Sequence, residues 1–534
     1  MRLPRRRLLF GILAVTLVAA VVLTLPFTLT PGVRARLTDA LSERFDSDVE
    51  LETLRVSVLP RVRVDGARVA LRHKGRTDVP PLIAIASFSA EANLFGLLGR
   101  PLRLRRVHLE GLEINVPPGS VDIDDEDDAR EKGGSRLPPP PPPPPPPSTE
   151  ADEGAAAPRS PLIVDDLLSE RAVLRILRGD PGKPPRVFEI SRLTMRDAGS
   201  NAPWAFKATL RNPTPPGEID TEGTFGPWQA ARPAETRLKA AYRFRQANLG
   251  VFGGIRGILH STGAFEGVLR RIEVAGRTDV PEFALDGVGH PVHLTTRFQA
   301  VVDGTTGNTW LRPVDARLGD SPIRADGGVI ERPGEKGRTV ALDVTMSGAR
   351  IEDVLRLAVQ SPTPPMTGAL TLKTSFELPP GEADTLERLR LDGSFEIETA
   401  RFATRNIQEK VEELSKKARG EPEEPPDRVV SDLRGRFVMK NGVIHFSSIT
   451  FTVPGASVNL AGRYTVRSEA LDFRGTVRLD AKLSELTTGV KSFLLKLVDP
   501  LMRRKDVTVV PVTVGGTAKD PDFGLDVRRA FTAK

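Results

Sequence analysis

Apolar and polar residues alternate with a period of two along most of this chain. Between 471 and 479, Leu471, Phe473, Gly475, Val477 and Leu479 are interleaved with Asp472, Arg474, Thr476 and Arg478. That repeat puts one set of side chains on each face of a β-strand. The same pattern runs through Val458, Leu460, Gly462, Tyr464 and Val466, through Leu433, Gly435, Phe437 and Met439, and through Ile449, Phe451 and Val453. Leu370, Leu372, Phe376 and Leu378 repeat it, as do Leu389, Leu391, Gly393, Phe395 and Ile397. Short turns separate these runs, among them Asn441-Gly442, a strong hairpin signal, so the pattern predicts an antiparallel meander. Glycines inside the strands suit bulges or a tightly curved sheet. An apolar face needs a cover. Two arrangements supply one: a closed sandwich whose inner faces pack on each other, or an open, curled sheet that takes an apolar guest. The predicted lining of that face is Leu370, Leu372, Phe376, Phe395, Ile397, Phe437, Phe451, Leu460, Tyr464, Leu471, Phe473 and Val477.

Helical periodicity is scarce. Leu37, Leu41 and Phe45 fall on one stripe of a helix predicted from Arg34 to Phe45, and Ile351, Val354, Leu355 and Ala358 mark another from Ala349 to Gln360. A third, from Glu485 to Leu501, places Val490, Phe493, Leu494, Leu497, Val498 and Leu501 on one face; such a helix caps a sheet end or docks on a membrane or partner. A highly charged helix is expected around 408–418, followed by a polar linker at 420–427. From Leu8 to Leu29 no residue is charged, long enough for a hydrocarbon core of ~30 Å. Arg2, Arg5, Arg6 and Arg7 precede that run and would hold the N-terminus on the cytoplasmic side. The segment around it has no small-x-small cleavage site, which favours a retained anchor over a removed signal. The expected organisation is therefore a cytoplasmic stub and transmembrane anchor (1–30), a helix with strands (31–117), a disordered acidic and polyproline linker (118–160), a β-rich middle segment (161–254) and a β-groove region (255–534).

Composition narrows the function. Lys and Arg number 76 against 69 Asp and Glu, and the four N-terminal arginines supply most of the net charge of +7. Aromatic residues are 5% of the chain. A nucleic-acid binder needs a concentrated basic face with stacking rings, so nucleic acid is not an expected partner. Without cysteine there is no disulfide framework, thiolate metal site or cysteine nucleophile. Of the six histidines only His290 and His293 are close, and residues three apart on a strand point to opposite faces. No nucleophile elbow, phosphate loop, zinc helix or dinucleotide fingerprint is present. The reading is of a non-enzyme with no catalytic residues, no metal and no cofactor.

The C-terminal half carries a resemblance. The stretches Gly289-His290-Pro291-Val292-His293-Leu294, Ala300-Val301-Val302-Asp303-Gly304-Thr305-Thr306-Gly307-Asn308-Thr309 and Ala349-Arg350-Ile351-Glu352-Asp353-Val354-Leu355-Arg356-Leu357 resemble the AsmA family of bacterial envelope proteins. So do Val453-Pro454-Gly455-Ala456, Leu460-Ala461-Gly462-Arg463-Tyr464, Lys491-Ser492-Phe493-Leu494-Leu495-Lys496-Leu497-Val498-Asp499-Pro500 and the ending Val510-Pro511-Val512-Thr513-Val514-Gly515-Gly516-Thr517. The likeness covers roughly 1–117 and 255–534, and the proline tract departs from it. It implies a mainly β fold: an inner-membrane anchor, then an elongated, curved antiparallel sheet with a taco-like groove and a few short amphipathic helices, similar to bridge-like lipid-transfer proteins. It further implies a single-pass protein with its bulk in the periplasm, whose partners are the inner membrane, phospholipid acyl chains and outer-membrane or periplasmic proteins. The implied role is phospholipid transfer between membranes and outer-membrane biogenesis. The alternative is a scaffold that assists or regulates outer-membrane protein assembly without carrying lipid.

Overall fold

The computed structural model describes residues 30–58, 62–73, 80–116, 139–143, 161–177, 184–229, 232–332, 337–403, 431–454, 456–479 and 508–525. The apolar run 8–29, the acidic run, the helices expected at 408–418 and 485–501 and the linker at 420–427 lie outside the described residues. Among the described residues no helix is long and apolar enough to cross a membrane.

A helix at 30–45 (α1) leads into strands β1 (Ser47–Ser57), β2 (Arg63–His73), β3 (Ile83–Ala92) and β4 (Leu102–Val116), with α2 (Leu94–Leu98) between the last two. Then follow β5 (Leu162–Ile176), β6 (Arg186–Ala198), β7 (Trp204–Pro213), β8 (Pro216–Phe225), β9 (Arg237–Asn248), β10 (Ile255–Arg256), β11 (Ile258–Val268), β12 (Arg271–Leu285) and β13 (Val288–Val302). The chain continues with β14 (Thr309–Leu318), β15 (Ser321–Glu331), β16 (Arg338–Arg350), α3 (Ile351–Ala358), β17 (Met366–Leu378), α4 (Thr385–Arg388) and β18 (Arg390–Phe402). It ends with β19 (Ser431–Lys440), β20 (Val443–Val453), β21 (Ala456–Thr465), β22 (Ala470–Leu479), β23 (Thr508–Gly516) and β24 (Pro521–Leu525).

All 24 strands belong to one sheet. Each pairs with its neighbour in the chain, except that β9 pairs with β11 and the two-residue β10 with β12. Pairing passes through 254 without a break, so the middle and C-terminal segments share a single sheet. A second sheet facing the apolar side is absent among the described residues, which overturns the closed sandwich that the alternation also allowed. The reason lies in the order of pairing: most strands pass by a short turn to a neighbour in the chain, and every described strand is taken up in this one sheet.

Only β4 and β5 run parallel among the paired strands. A parallel neighbour needs a crossover connection longer than a hairpin turn, and 45 residues separate the end of β4 from the start of β5. Within the stretch whose sequence reads as a disordered spacer, residues 139–143 lie against the sheet. Arg270 Nη1 donates to the Pro142 carbonyl at 3.0 Å, and Arg271 donates to that of Pro141. A polyproline backbone offers acceptors and no donors, and an arginine fork supplies the donors it lacks.

Extra residues inserted into the strands curl the sheet. Register shifts at Val280/Phe283, Arg297/Gln299, Leu311/Val314, Met346/Ala349, Thr367/Ala369 and Ile397/Ala400 mark an extra residue in each of the alternate strands β12, β14, β16 and β18. Each bulge bends its strand and adds twist. Repeated on alternate strands, they accumulate into a curled half-barrel with the apolar face inside. Two packing clusters demonstrate the curvature. α1 inserts Val33, Leu37 and Ala40 among buried side chains reaching from β1 to Trp204 of β7. Further along, Val288 at the start of β13 meets Met439 of β19 and Val466 after β21 through Leu386 of α4. Strands six to eight positions apart touch in this way only if the face between them is concave.

Candidate functional site

The register determines which side chains share the concave face, because directly paired residues of neighbouring strands point the same way. Leu370 pairs with Ile397 and Leu372 with Phe395. Ile397 continues to Leu433 and then Phe451, and Gly393 to Phe437. Phe451 leads to Val458 and Val477, Leu460 to Gly475, and Tyr464 to Leu471. Phe376 pairs with Leu391, whose chain of partners runs through Met439 and Ile444 to Tyr464. Phe473 pairs with Gly462. All twelve lining residues expected from the alternation therefore lie on one face. Leu370, Ile397, Phe437 and Phe473 are buried, and the other eight are half-buried.

The lining reaches well beyond those strands. Following the pairs back from β17, the same face carries Leu342, Leu311, Phe298, Val274, Phe265, Tyr242, Ile219 and Phe206. It continues through Met195, Leu109, Phe88 and Val69 to Leu51 in β1. Phe446 also belongs to it, and parity counted from Ile449 and Phe451 would put it outside. A bulge between Phe446 and Ile449 reverses the parity, and bulge positions have no strong sequence signal. Phe395, Phe437, Phe446 and Phe473 form a ring cluster, with Phe446 5.6 Å from Phe473 and 6.1 Å from Phe395, edge-on to the latter.

Glycine stands opposite many of these rings. Phe88 faces Gly66, Phe206 faces Gly223, Tyr242 faces Gly263, Phe298 faces Gly276, Phe395 faces Gly435 and Phe473 faces Gly462. A β-carbon on Gly66 would fall 2.3 Å from the Phe88 ring, and one on Gly435 2.7 Å from that of Phe395. A ring can lie flat over a neighbour without a side chain, so the wall keeps its apolar area without filling the concavity.

A short polar band interrupts the lining on β9–β13. Tyr242 Oη lies 3.1 Å from Ser261 Oγ, which donates to the Arg277 carbonyl at 3.0 Å, and Thr278 and Thr296 share a hydrogen bond of 2.6 Å. Burial raises the Tyr242 hydroxyl pKa above its ordinary value, and the hydrogen bond with Ser261 opposes the shift. Tyr464 is pushed up further, to about 12, first by burial and then by the charge of Glu469.

The convex face is polar. Cross-strand pairs such as Lys207–Glu222 and Lys239–Glu266, both 2.7 Å, and Arg463–Asp472 are exposed, and the hydrogen bond from the lysine, then its charge, lowers the Glu222 and Glu266 pKa values. A cleft of about 760 Å3 borders residues of both faces, among them Arg277, Arg297 and Asp315 of the convex side and Ser261, Thr278 and Thr296 of the polar band. His293 Nε2 lies 2.7 Å from Asp279 Oδ1, while His290 Nε2 lies 3.1 Å from the Ser361 carbonyl. The two imidazoles thus have separate partners, and no cluster of three or more metal-ligating side chains occurs among the described residues.

The fold and its concave face define a class: a single-sheet, curled β-protein with a largely apolar concave face. The chain matches no family model, no curated protein and no solved structure.

Proposed function

We propose that the trough holds lipid acyl chains, and that the protein is a membrane-anchored conduit of the AsmA type, moving phospholipid between the two membranes of a bacterial envelope. The observation that carries this reading is the apolar face beyond α1, which runs from β9 to β23 with large half-buried side chains and no covering sheet among the described residues. Burying one CH2 is worth ~0.8 kcal/mol, so a sixteen-carbon chain gains on the order of 13 kcal/mol gross over exposure to water. Outside the polar band on β9–β13, sliding along the trough exchanges one Leu, Val or Phe contact for another and changes that free energy little. A conduit needs that uniformity; a storage pocket would fix the headgroup with convergent polar groups.

The placement of α2 agrees with an anchor. Arg36, six residues beyond the start of α1, donates to the backbone carbonyl of Leu97 at 3.3 Å and to that of Leu98. Beside that contact Phe95 is 88% exposed and Leu98 47%. An apolar foot close to the end of the uncharged run 8–29 suits a membrane surface. The transport reading is a non-catalytic one, with no cofactor, and its partners are the inner membrane, phospholipid and outer-membrane or periplasmic proteins.

Lipid extraction and mass spectrometry of the purified full-length chain test the proposal. Phospholipid is expected to co-purify, and Phe437→Glu combined with Phe473→Glu to reduce the load several-fold. An unchanged load in a folded double variant rejects the conduit and favours a scaffold for outer-membrane protein assembly.

A further inference from the structure

Helix α1 fills the concave face over the first eight strands, and its last turn ends where the unfilled part of the trough begins. There Arg44 lays its guanidinium on Trp204, with Cζ 5.5 Å from the ring centroid. The surroundings are aromatic: Trp204 to Phe225 is 5.9 Å, Phe225 to Trp228 6.3 Å and Phe45 to Trp228 6.3 Å between centroids. Arg44 Nε and Nη2 are shut off from solvent and have no hydrogen-bond acceptor among the described residues. The indole Nε1 of Trp228 is in the same condition. Burial pulls the Arg44 pKa below its ordinary value.

Other enclosed arginines are not left this way. Arg271 has Glu273 at 3.2 Å and the Pro141 carbonyl, and Arg175 has both oxygens of Glu113. Around Arg44 the nearest carboxylates in sequence, Glu43 and Asp46, are exposed, and neither forms an ion pair with it among the described residues. A guanidinium presents a planar fork of donors that matches a carboxylate or phosphate. Half-burying a cation without an anion is costly, and stacking on indole recovers only part of that cost. Two sets of unpaired N–H donors around one aromatic cluster, on the boundary of an apolar trough, are complementary to an amphiphile with an anionic head.

We propose that Arg44 and Trp228 form a headgroup seat, taking the carboxylate or phosphate of an anionic amphiphile whose hydrocarbon tail lies in the trough from β9 onward. This rests on the lipid reading above and adds the charge class of the lipid and the place where its head is held. The seat lies at one end of the lining, so it selects a lipid on entry without pinning tails along the rest of the path.

The test uses the full-length chain in phosphatidylcholine nanodiscs, titrated with 2-bromohexadecanoate, with its neutral methyl ester, and with acetate. Bromine beside the head quenches nearby tryptophan emission, and the cysteine-free chain gives the bromo acid no thiol to alkylate. The acid is expected to bind at least tenfold more tightly than the ester. In Arg44→Gln that preference falls to within twofold while ester binding is unchanged. Arg44→Met melts no lower than the parent without ligand, since it removes an uncompensated buried charge; a markedly lower melting temperature assigns Arg44 a purely structural role and overturns the seat. A preference that survives in Arg44→Gln overturns it as well, and so does acid binding that acetate abolishes at equal concentration, which makes this a free-anion site. Ester and acid binding equally well reject the seat alone, whereas failure of both to bind rejects the lipid reading with it.

Discussion

Phe395 and Gly435 face each other across the β18–β19 pair, the ring so close that a β-carbon on the glycine would fall 2.7 Å from Cε1. The same added carbon would lie 2.7 Å from the Ser448 carbonyl on the other side. The glycine therefore makes room for the ring at the floor of the trough. Gly435→Ala overpacks this spot and is expected to destabilise the protein by about 1–3 kcal/mol. Phe395→Leu in the same chain should recover part of that loss, and a double-mutant cycle in denaturant reads the coupling. Additive effects would show that ring and glycine are independent.

Tyr464 sets an alkaline limit on stability. Its hydroxyl is buried without a hydrogen-bond partner among the described residues, and its pKa is held near 12 against 10.0 for the free side chain. Below pH 10 both folded and unfolded chains keep the proton. Between pH 10 and 12 the unfolded chain releases it first, so stability falls as pH rises through that window. Tyr464→Phe should flatten the decline and leave neutral-pH stability unchanged or higher by about 1 kcal/mol, since it removes an unpaired buried hydroxyl. The chain has only two tyrosines, so absorbance at the tyrosinate band follows the titration with little background.

Leu386 holds distant walls together. It is 4% exposed and packs with Val288, Met439 and Val466. Asp384 caps the N-terminus of its short helix, accepting from Leu386 N at 2.9 Å, and pairs with Arg467 at 2.8 Å. Leu386→Ala is expected to cost about 2–5 kcal/mol. Amide exchange should quicken at Val288 and Val466 before it does in the strand centres. Uniform exchange across the sheet would mean that α4 closes nothing.

Phe95 offers a readout of membrane contact. In a chain with no cysteine, Phe95→Cys labelled with an environment-sensitive dye should blue-shift on reconstitution into vesicles. The matching label at Val438, exposed on the convex face, should report water throughout. Equal spectra at the two positions would remove the foot from the membrane.

What the residue order alone determined here is the partition of side chains between two faces. Period-two alternation is local, so twelve lining positions on six strands could be named in advance, and the stripe of Leu37 and Phe45 already marked α1 as a helix with one buried side. The arrangement of that apolar face was decided only in three dimensions. Alternation is the same whether a face meets another sheet or itself, and the choice came from the pairing of strands that neighbour one another in the chain together with bulges repeated on alternate strands. Bulges depend on backbone geometry more than on residue type, which is why Phe446 is read onto the wrong side when parity is carried through one. Arg44 shows the same division: in sequence it is an ordinary cation in the last turn of a helix, and only the curl of eight strands sets it unpaired on Trp204, with Nε and Nη2 turned away from water.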